Sequence, residues 1–212
     1  MTEGLRERKK RQTRRRIADV AIGLFVRRGF DQVTIAEVAA AAEVSVNTVY
    51  NYFQSKEDLV LPPDQASPDR LADIVRHRRP GESAALAMLA HLRDEVRHRD
   101  RKLGLTENFG RVFEMMRAAP TLTARLEDLG RQMTDALAVV LAEETGAAPD
   151  DQLPRVVAWE LGCFHSLVFA EIGRRTAAGE KPDTIAEAVL DLLEVVESLL
   201  GERVLTYAIR KD

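Results

Sequence analysis

The sequence predicts an all-α protein built as an N-terminal three-helix head and a C-terminal helical bundle. Three observations carry that prediction. Apolar residues recur at the 3.6-residue spacing of helices over most of the chain. Strand-type alternation is nearly absent, and aromatics make up only 5% of the 212 residues. Residues 34–59 read TIAEVAAAAEVSVNTVYNYFQSKEDL: a short amphipathic helix, a tight turn, a second short helix with a polar start, and a new helix start. That layout is a helix-turn-helix, whose second helix enters the major groove of DNA.

In chain order, the first helix is expected at about residues 11–28, on the stripe Ile17, Val20, Ala21, Leu24 and Phe25. Gly29 supplies a left-handed residue to close it, and Phe30 follows as the hydrophobic contact beyond. Thr34 and Glu37 form a capping box for a helix that buries Ile35, Val38, Ala39 and Ala42. Ser45 caps a helix over residues 46–53. Ser55, with Asp58 three residues on, starts a third. Pro62 and Pro63 then break the chain, because proline cannot continue a helix and pushes the preceding residue towards extended geometry. This break is expected to loosen or hinge the link between head and body. Further helices are expected at about residues 68–79, 82–99, 109–118, 121–144, 150–178 and 182–200, punctuated by Pro80-Gly81, Ala119-Pro120, Thr145-Gly146 and Gly179. The domains are thus residues 1–61 and 62–212.

A hydrophobic share of 45% is ample for a core in one or two domains. The single cysteine, Cys163, cannot form an intrachain disulfide and reads as a small packed hydrophobe. The N-terminus is charged with no apolar run behind it, and no run approaches the ~20 residues of a spanning helix. A cytoplasmic protein with no membrane partner is expected. The net charge of −3 is unevenly placed: eight basic residues between Arg6 and Arg16 stand against Glu3 and Glu7, leaving the remainder acidic. That asymmetry points to a polyanion at the N-terminus. The lack of large apolar residues in the same stretch argues against a membrane-surface helix.

The side chains of the second short helix suit DNA. Asn47 can pair bidentately with adenine N6 and N7, and Thr48 can meet a phosphate or a thymine methyl. Tyr50 and Tyr52 point to different sides, one towards a phosphate and one flanking the groove. Val49 and Phe53 face the core. Lys56, at a helix start, is placed for a backbone phosphate. Phosphate contacts would position the head, while Val46, Asn47 and Thr48 would specify sequence.

Residues 17–61, and above all Thr48-Val49-Tyr50-x-Tyr52-Phe53-x-Ser55-Lys56-Glu57-x-Leu59, resemble the N-terminal domain of TetR-family transcriptional regulators. The resemblance implies a homodimeric, ligand-responsive, all-helical repressor on a palindromic operator. It also implies DNA contacts at Thr34, Ser45, Val46, Asn47, Thr48, Tyr50, Tyr52 and Lys56. Two positions depart from the family pattern. The turn, usually glycine, holds Glu43, and Asn47 stands where many members carry a small residue.

Beyond residue 61 the residues must speak for themselves. Ala158, Gly162, Ser166 and Ala170 repeat every fourth position on a helix otherwise rich in large apolar residues, and the last helix is similar. Helices apolar on most sides must be covered on most sides. A symmetric four-helix interface using Ala158, Gly162, Ser166, Ala170, Leu192, Val196 and Leu199 is expected. An adaptable apolar pocket for a small-molecule effector is expected among Phe109, Phe113, Met116, Met133, Trp159, Phe164, His165 and Phe169, with His165 as a polar anchor. The partners expected are therefore double-stranded operator DNA, a second copy of the chain and a small apolar or amphipathic effector. No cofactor or metal is expected. Glu95-x-x-His98 has di-iron spacing but occurs once, where such sites need two copies and further glutamates. No glycine-rich phosphate loop, G-x-S-x-G or His-Glu-x-x-His is present. The alternatives are a helical metal-binding enzyme and a helical interaction module that does not bind DNA.

Overall fold

The computed structural model describes residues 5–61, 66–100, 103–106 and 108–211. These residues form helices and connecting turns, with no strand among them. The helices are α1 (Leu5–Arg28), α2 (Ile35–Ala41), α3 (Val46–Tyr52), a 3-10 turn (Glu57–Leu59), α4 (Arg70–Arg76), α5 (Ala84–Arg97), α6 (Phe109–Ala118), α7 (Pro120–Thr145), α8 (Leu153–Ala177), α9 (Pro182–Leu199) and α10 (Glu202–Leu205). The chain divides into two compact units. One runs to residue 66 and takes in 111–125, and the other holds 67–110 and 126–212.

In the first unit, α1 begins at Leu5 rather than near residue 11, so the basic run is helical. Its Arg, Lys, Gln and Glu residues are good helix formers, and Glu7 in the first turn favours the positive end of the helix dipole. Gly29 closes α1 at φ +87°, its N–H bonded to Phe25 O at 2.8 Å. Phe25 and Phe30 then meet edge to face at 4.9 Å, both buried. Ile17, Ala21, Val38, Ala39, Val49, Phe53 and Leu59 complete the core.

The turn between α2 and α3 has the hydrogen bonds of a Schellman motif: Val44 N–H to Ala39 O (3.0 Å) and Glu43 N–H to Ala40 O (3.1 Å). Glu43 occupies the left-handed position at φ 54°. The helix expected after Ser55 is a single 3-10 turn, whose approach is fixed by a reciprocal box. Asp58 accepts from the Gln54 and Ser55 N–H groups, both at 3.1 Å, and its own N–H reaches Ser55 Oγ at 3.2 Å. The Pro62-Pro63 break lies outside the described residues.

In the second unit, α5 packs against α4, α8, α9 and α10, and α8 pairs with α9. Met88, Leu89, Leu92 and Val96 of α5 are fully buried. α4 starts two residues later than the Ser67-Pro68 signal suggests; Ser67 Oγ instead accepts the Asp69 N–H. α10 was not expected, and the tail after it is tied to the loop before α5. Gly81 N–H donates to Arg210 O, and Arg210 N–H returns to Glu82 O. Beneath this tie lies Arg78, only 4% exposed. Its guanidinium donates to Val75 O, Glu82 O, Ala208 O and the Glu144 carboxylate.

α8 has the length and apolar composition of a membrane-crossing helix, contrary to the expectation that no run approaches it. In the structure it packs within the second unit. At Gly162 α7 comes close: a Cβ there would stand 2.5 Å from Thr134 Oγ1.

Candidate nucleic-acid interface and effector region

Three local caps shape the surface of the head. Thr34 N–H and its hydroxyl both donate to Glu37 Oε2, at 2.8 and 2.9 Å, and Glu37 N–H returns to Thr34 Oγ1 at 3.2 Å. The Thr34 backbone donor, aided by Arg28 at 2.7 Å, holds the Glu37 carboxyl at about 2. At the start of α3, Ser45 Oγ accepts the Thr48 N–H at 3.0 Å and bonds the Thr48 hydroxyl at 2.8 Å. This cap points the first turn of α3 outward. Val46 is 41% and Tyr50 53% exposed, Asn47 is exposed, and Val49 on the opposite side is fully buried.

The eight residues expected at DNA thus separate into groups. Val46, Asn47 and Tyr50 are exposed on one side of α3. Thr34 and Ser45 are exposed at helix starts with their hydroxyls already engaged, while Thr48 and Tyr52 are half-buried. Lys56 is the clear departure. Its ammonium donates to Phe30 O at 2.6 Å and lies 4.3 Å from the Phe30 ring centroid and 5.6 Å from that of Phe25. It closes the head on itself rather than standing free for a phosphate. Asn51 is also exposed, one helical turn beyond Asn47. On α1, Arg8, Lys9, Lys10, Arg11, Arg15 and Arg16 are exposed. Arg14 instead lies over the Phe53 ring at 5.3 Å, which fastens the basic helix to the end of α3.

In the second unit the expected interface residues divide. Ala158, Gly162 and Val196 are buried by the chain's own helices, a correction to their place on an open face. Ser166, Ala170 and Leu199 are exposed and Leu192 half-buried. Trp159, expected inside a pocket, is 65% exposed. It shares a face of α8 with Val156, Cys163, Ser166 and Ala170 because their spacing is three or four residues. Cys163 is likewise exposed rather than packed.

Of the other expected pocket residues, Phe113 and Met116 fall in the first unit, and Phe109, Met133, Phe164, His165 and Phe169 in the second. Phe109 and Phe169 meet edge to face at 5.5 Å. Met133 is buried, and Phe164 and His165 are half-buried. Burial, reinforced by the charge of Arg70, pushes the His165 imidazole down to about 4, so it is neutral at pH 7. An open cleft of about 420 Å³ in the first unit, between the end of α1 and α6, is lined by neither Phe113 nor Met116.

The Glu95–His98 pair does not form. His98 turns to Asp94, while Glu95 accepts from Arg70 at 2.5 Å and stands 3.3 Å from His91. Burial acts to raise the Glu95 carboxyl, but the His91 hydrogen bond and the Arg70 charge outweigh it, and the group lies below its ordinary value. Among the described residues no group of His, Cys, Asp and Glu is arranged to hold a metal ion.

A capped helix with an outward polar turn, a tight turn behind it and a basic helix alongside define a helix-turn-helix DNA-binding protein. Comparison with known proteins makes the class specific. Residues 17–61 match the family model described as bacterial regulatory proteins, tetR family. The chain is 30% identical over 175 residues to the HTH-type transcriptional regulator TcmR of Streptomyces glaucescens, covering 81% of this chain and 74% of that one. It is 28% identical over 193 residues to the HTH-type transcriptional repressor KstR of Rhodococcus jostii (strain RHA1), covering 91% and 84%. The solved SmeT–triclosan complex shares the fold, with a TM-score of 0.53 at 17% identity over 95% of this chain and 98% of that one. The chain belongs to the tetR family of bacterial transcriptional regulators, which are DNA-binding proteins and not enzymes.

Proposed function

We propose that the protein is a homodimeric repressor that grips a palindromic operator with α3 of each subunit and lets go when a small, largely apolar effector occupies the second unit. Residues 1–61 bind DNA in this reading, and residues 62–212 dimerise and take the effector. The carrying observation is the outward first turn of α3, with Val46, Asn47 and Tyr50 exposed beside a basic α1. Asn47 and Val46 read bases, Tyr50 and the α1 arginines meet phosphates, and Thr34, Ser45 and Thr48 add contacts from their capped positions.

Dimerisation is supported by an apolar surface on both long C-terminal helices. Val156, Trp159 and Leu167 of α8 and Val195 and Leu199 of α9 are each more than two-fifths exposed. Helical faces of this kind require a cover. Repression is supported by the name of the KstR relative, and a small effector by the triclosan in the SmeT complex.

The test is selection of bound sequences from random duplex DNA, followed by footprinting at two salt concentrations. A palindrome with half-sites about one helical turn apart is expected, bound by a particle of twice the chain mass. Asn47→Ala should weaken binding by about 1–3 kcal/mol and relax preference at one base position per half-site. Sequence-indifferent binding, or an Asn47→Ala protein with unchanged preference, would overturn this reading.

A further inference from the structure

The polar residues of α4, α5 and α8 hold something the fold itself does not use. Glu95 is only 8% exposed, yet only one of its carboxylate oxygens is engaged. Oε1 accepts from Arg70 and faces His91, whereas Oε2 is buried without a hydrogen-bond partner among the described residues. A buried carboxylate oxygen left unpaired is costly and rare, and it calls for an explanation.

The neighbourhood supplies one. On α8, Leu161, Val168 and Ile172 form an inward stripe and are fully buried. His165 belongs to the same stripe by spacing, and it keeps accessible surface. It is nonetheless deep enough that burial alone is the largest influence on its titration, and it feels the charges of Arg70, Glu95 and His91. That remaining surface is the room a ligand would take. One turn further along α8, Phe169 meets Phe109, two half-buried rings.

We propose that Glu95 Oε2 is the polar anchor of the effector site, and that the effector is an uncharged, flat apolar molecule carrying a hydroxyl or N–H donor. The inference rests on the reading of the second unit as the effector-binding part. The donor meets Glu95 Oε2, neutral His165 offers one further donor and one acceptor, and the Phe109–Phe169 pair receives the apolar body. The charges set the class. An acid would meet an ionised carboxylate whose guanidinium partner, Arg70, is already paired. A cation would meet Arg70. A neutral donor satisfies Oε2 and disturbs neither.

The test uses the full chain and three probes of one shape: 2-naphthol, 2-naphthoate and naphthalene, titrated by calorimetry. 2-Naphthol should bind at least about tenfold more tightly than either of the others, the scale of one hydrogen bond to a charged acceptor. Glu95→Gln should collapse the preference over 2-naphthoate to near unity. His165→Phe, which fills the space with an apolar ring and needs no pairing, should weaken all three probes while melting cooperatively. The proposal falls if 2-naphthoate binds as tightly as 2-naphthol, if the preference survives Glu95→Gln, or if no probe binds at its solubility limit. Footprinting of the unliganded protein keeps the two readings apart. An operator with no probe binding defeats only the anchor, whereas the expected probe ranking with no operator defeats only the repressor reading.

Discussion

The two units are held together by different kinds of polar contact. In the first, the caps join residues three apart: Thr34 with Glu37, Ser45 with Thr48, Ser55 with Asp58. In the second, the decisive pairs are distant in sequence. Arg78 reaches Glu144, 66 residues on, and Ala208, 130 residues on; Arg93 reaches Glu197 across 104 and Arg99 reaches Asp183 across 84. A head that must present the same few side chains in the same geometry is specified locally, turn by turn. The body is specified by closure of long loops, whose contacts form only once the helices have assembled.

The sharpest way to break this contrast is Arg78→Ala. The side chain is 1% exposed, and its removal leaves three backbone carbonyls without their donor, while Glu144, about a third exposed, can turn to water. A buried acceptor left without its donor costs about 1–3 kcal/mol. The expected outcome is a large loss in urea unfolding of the second unit, read from helical circular dichroism, together with faster proteolysis of the C-terminal tail. A loss below about 1 kcal/mol would mean that apolar packing around α5, rather than this hub, holds the body together.

Lys56→Ala sharpens the contrast from the other side, because Lys56 makes a long-range contact within the head, joined to Phe30 across 26 residues. Losing a charged donor to a carbonyl and a cation–π contact costs about 2 kcal/mol. Stability should fall while the salt dependence of operator binding stays the same. If Lys56 instead turned outward to a phosphate, stability would hold and the slope of log affinity against log salt would drop by about one.

These same differences decided what could be read in advance. The caps at Thr34, Ser45 and Ser55 were legible because cap and partner lie within one turn. The turn at Glu43 was marked by the family resemblance alone, and its left-handed backbone is a finding of the structure. The Phe30 contact of Lys56 was not legible, because a lysine at a helix start looks alike whether a phosphate or a Phe30 carbonyl waits in front of it. In the body, periodicity revealed that α8 and α9 are apolar on several sides but not what covers each side. Gly162 is therefore filled by Thr134, whereas Trp159 stands open. The Arg70 partner of Glu95 was hidden. His98 has the ligand-like spacing, while Arg70, on another helix, makes the contact.

The smallest effect tests whether local specification in the head is complete. Glu43 holds the left-handed position of the Schellman turn at φ 54°, where its Cβ crowds the backbone and glycine would not. Glycine also loses more freedom on folding, which offsets part of the gain. Glu43→Gly should therefore raise stability by about 1 kcal/mol at most, or roughly 2–4 °C in melting temperature for a chain of this size. Glu43→Ala is the control. It removes the same charge but keeps the Cβ, so it should leave stability near the starting value. Equal melting of the two variants would show that the carboxylate rather than the backbone sets the energy of this turn. A gain confined to glycine would identify the α2–α3 turn as a strained element whose geometry is imposed by the packing of Ala39, Val44 and Val49 around it.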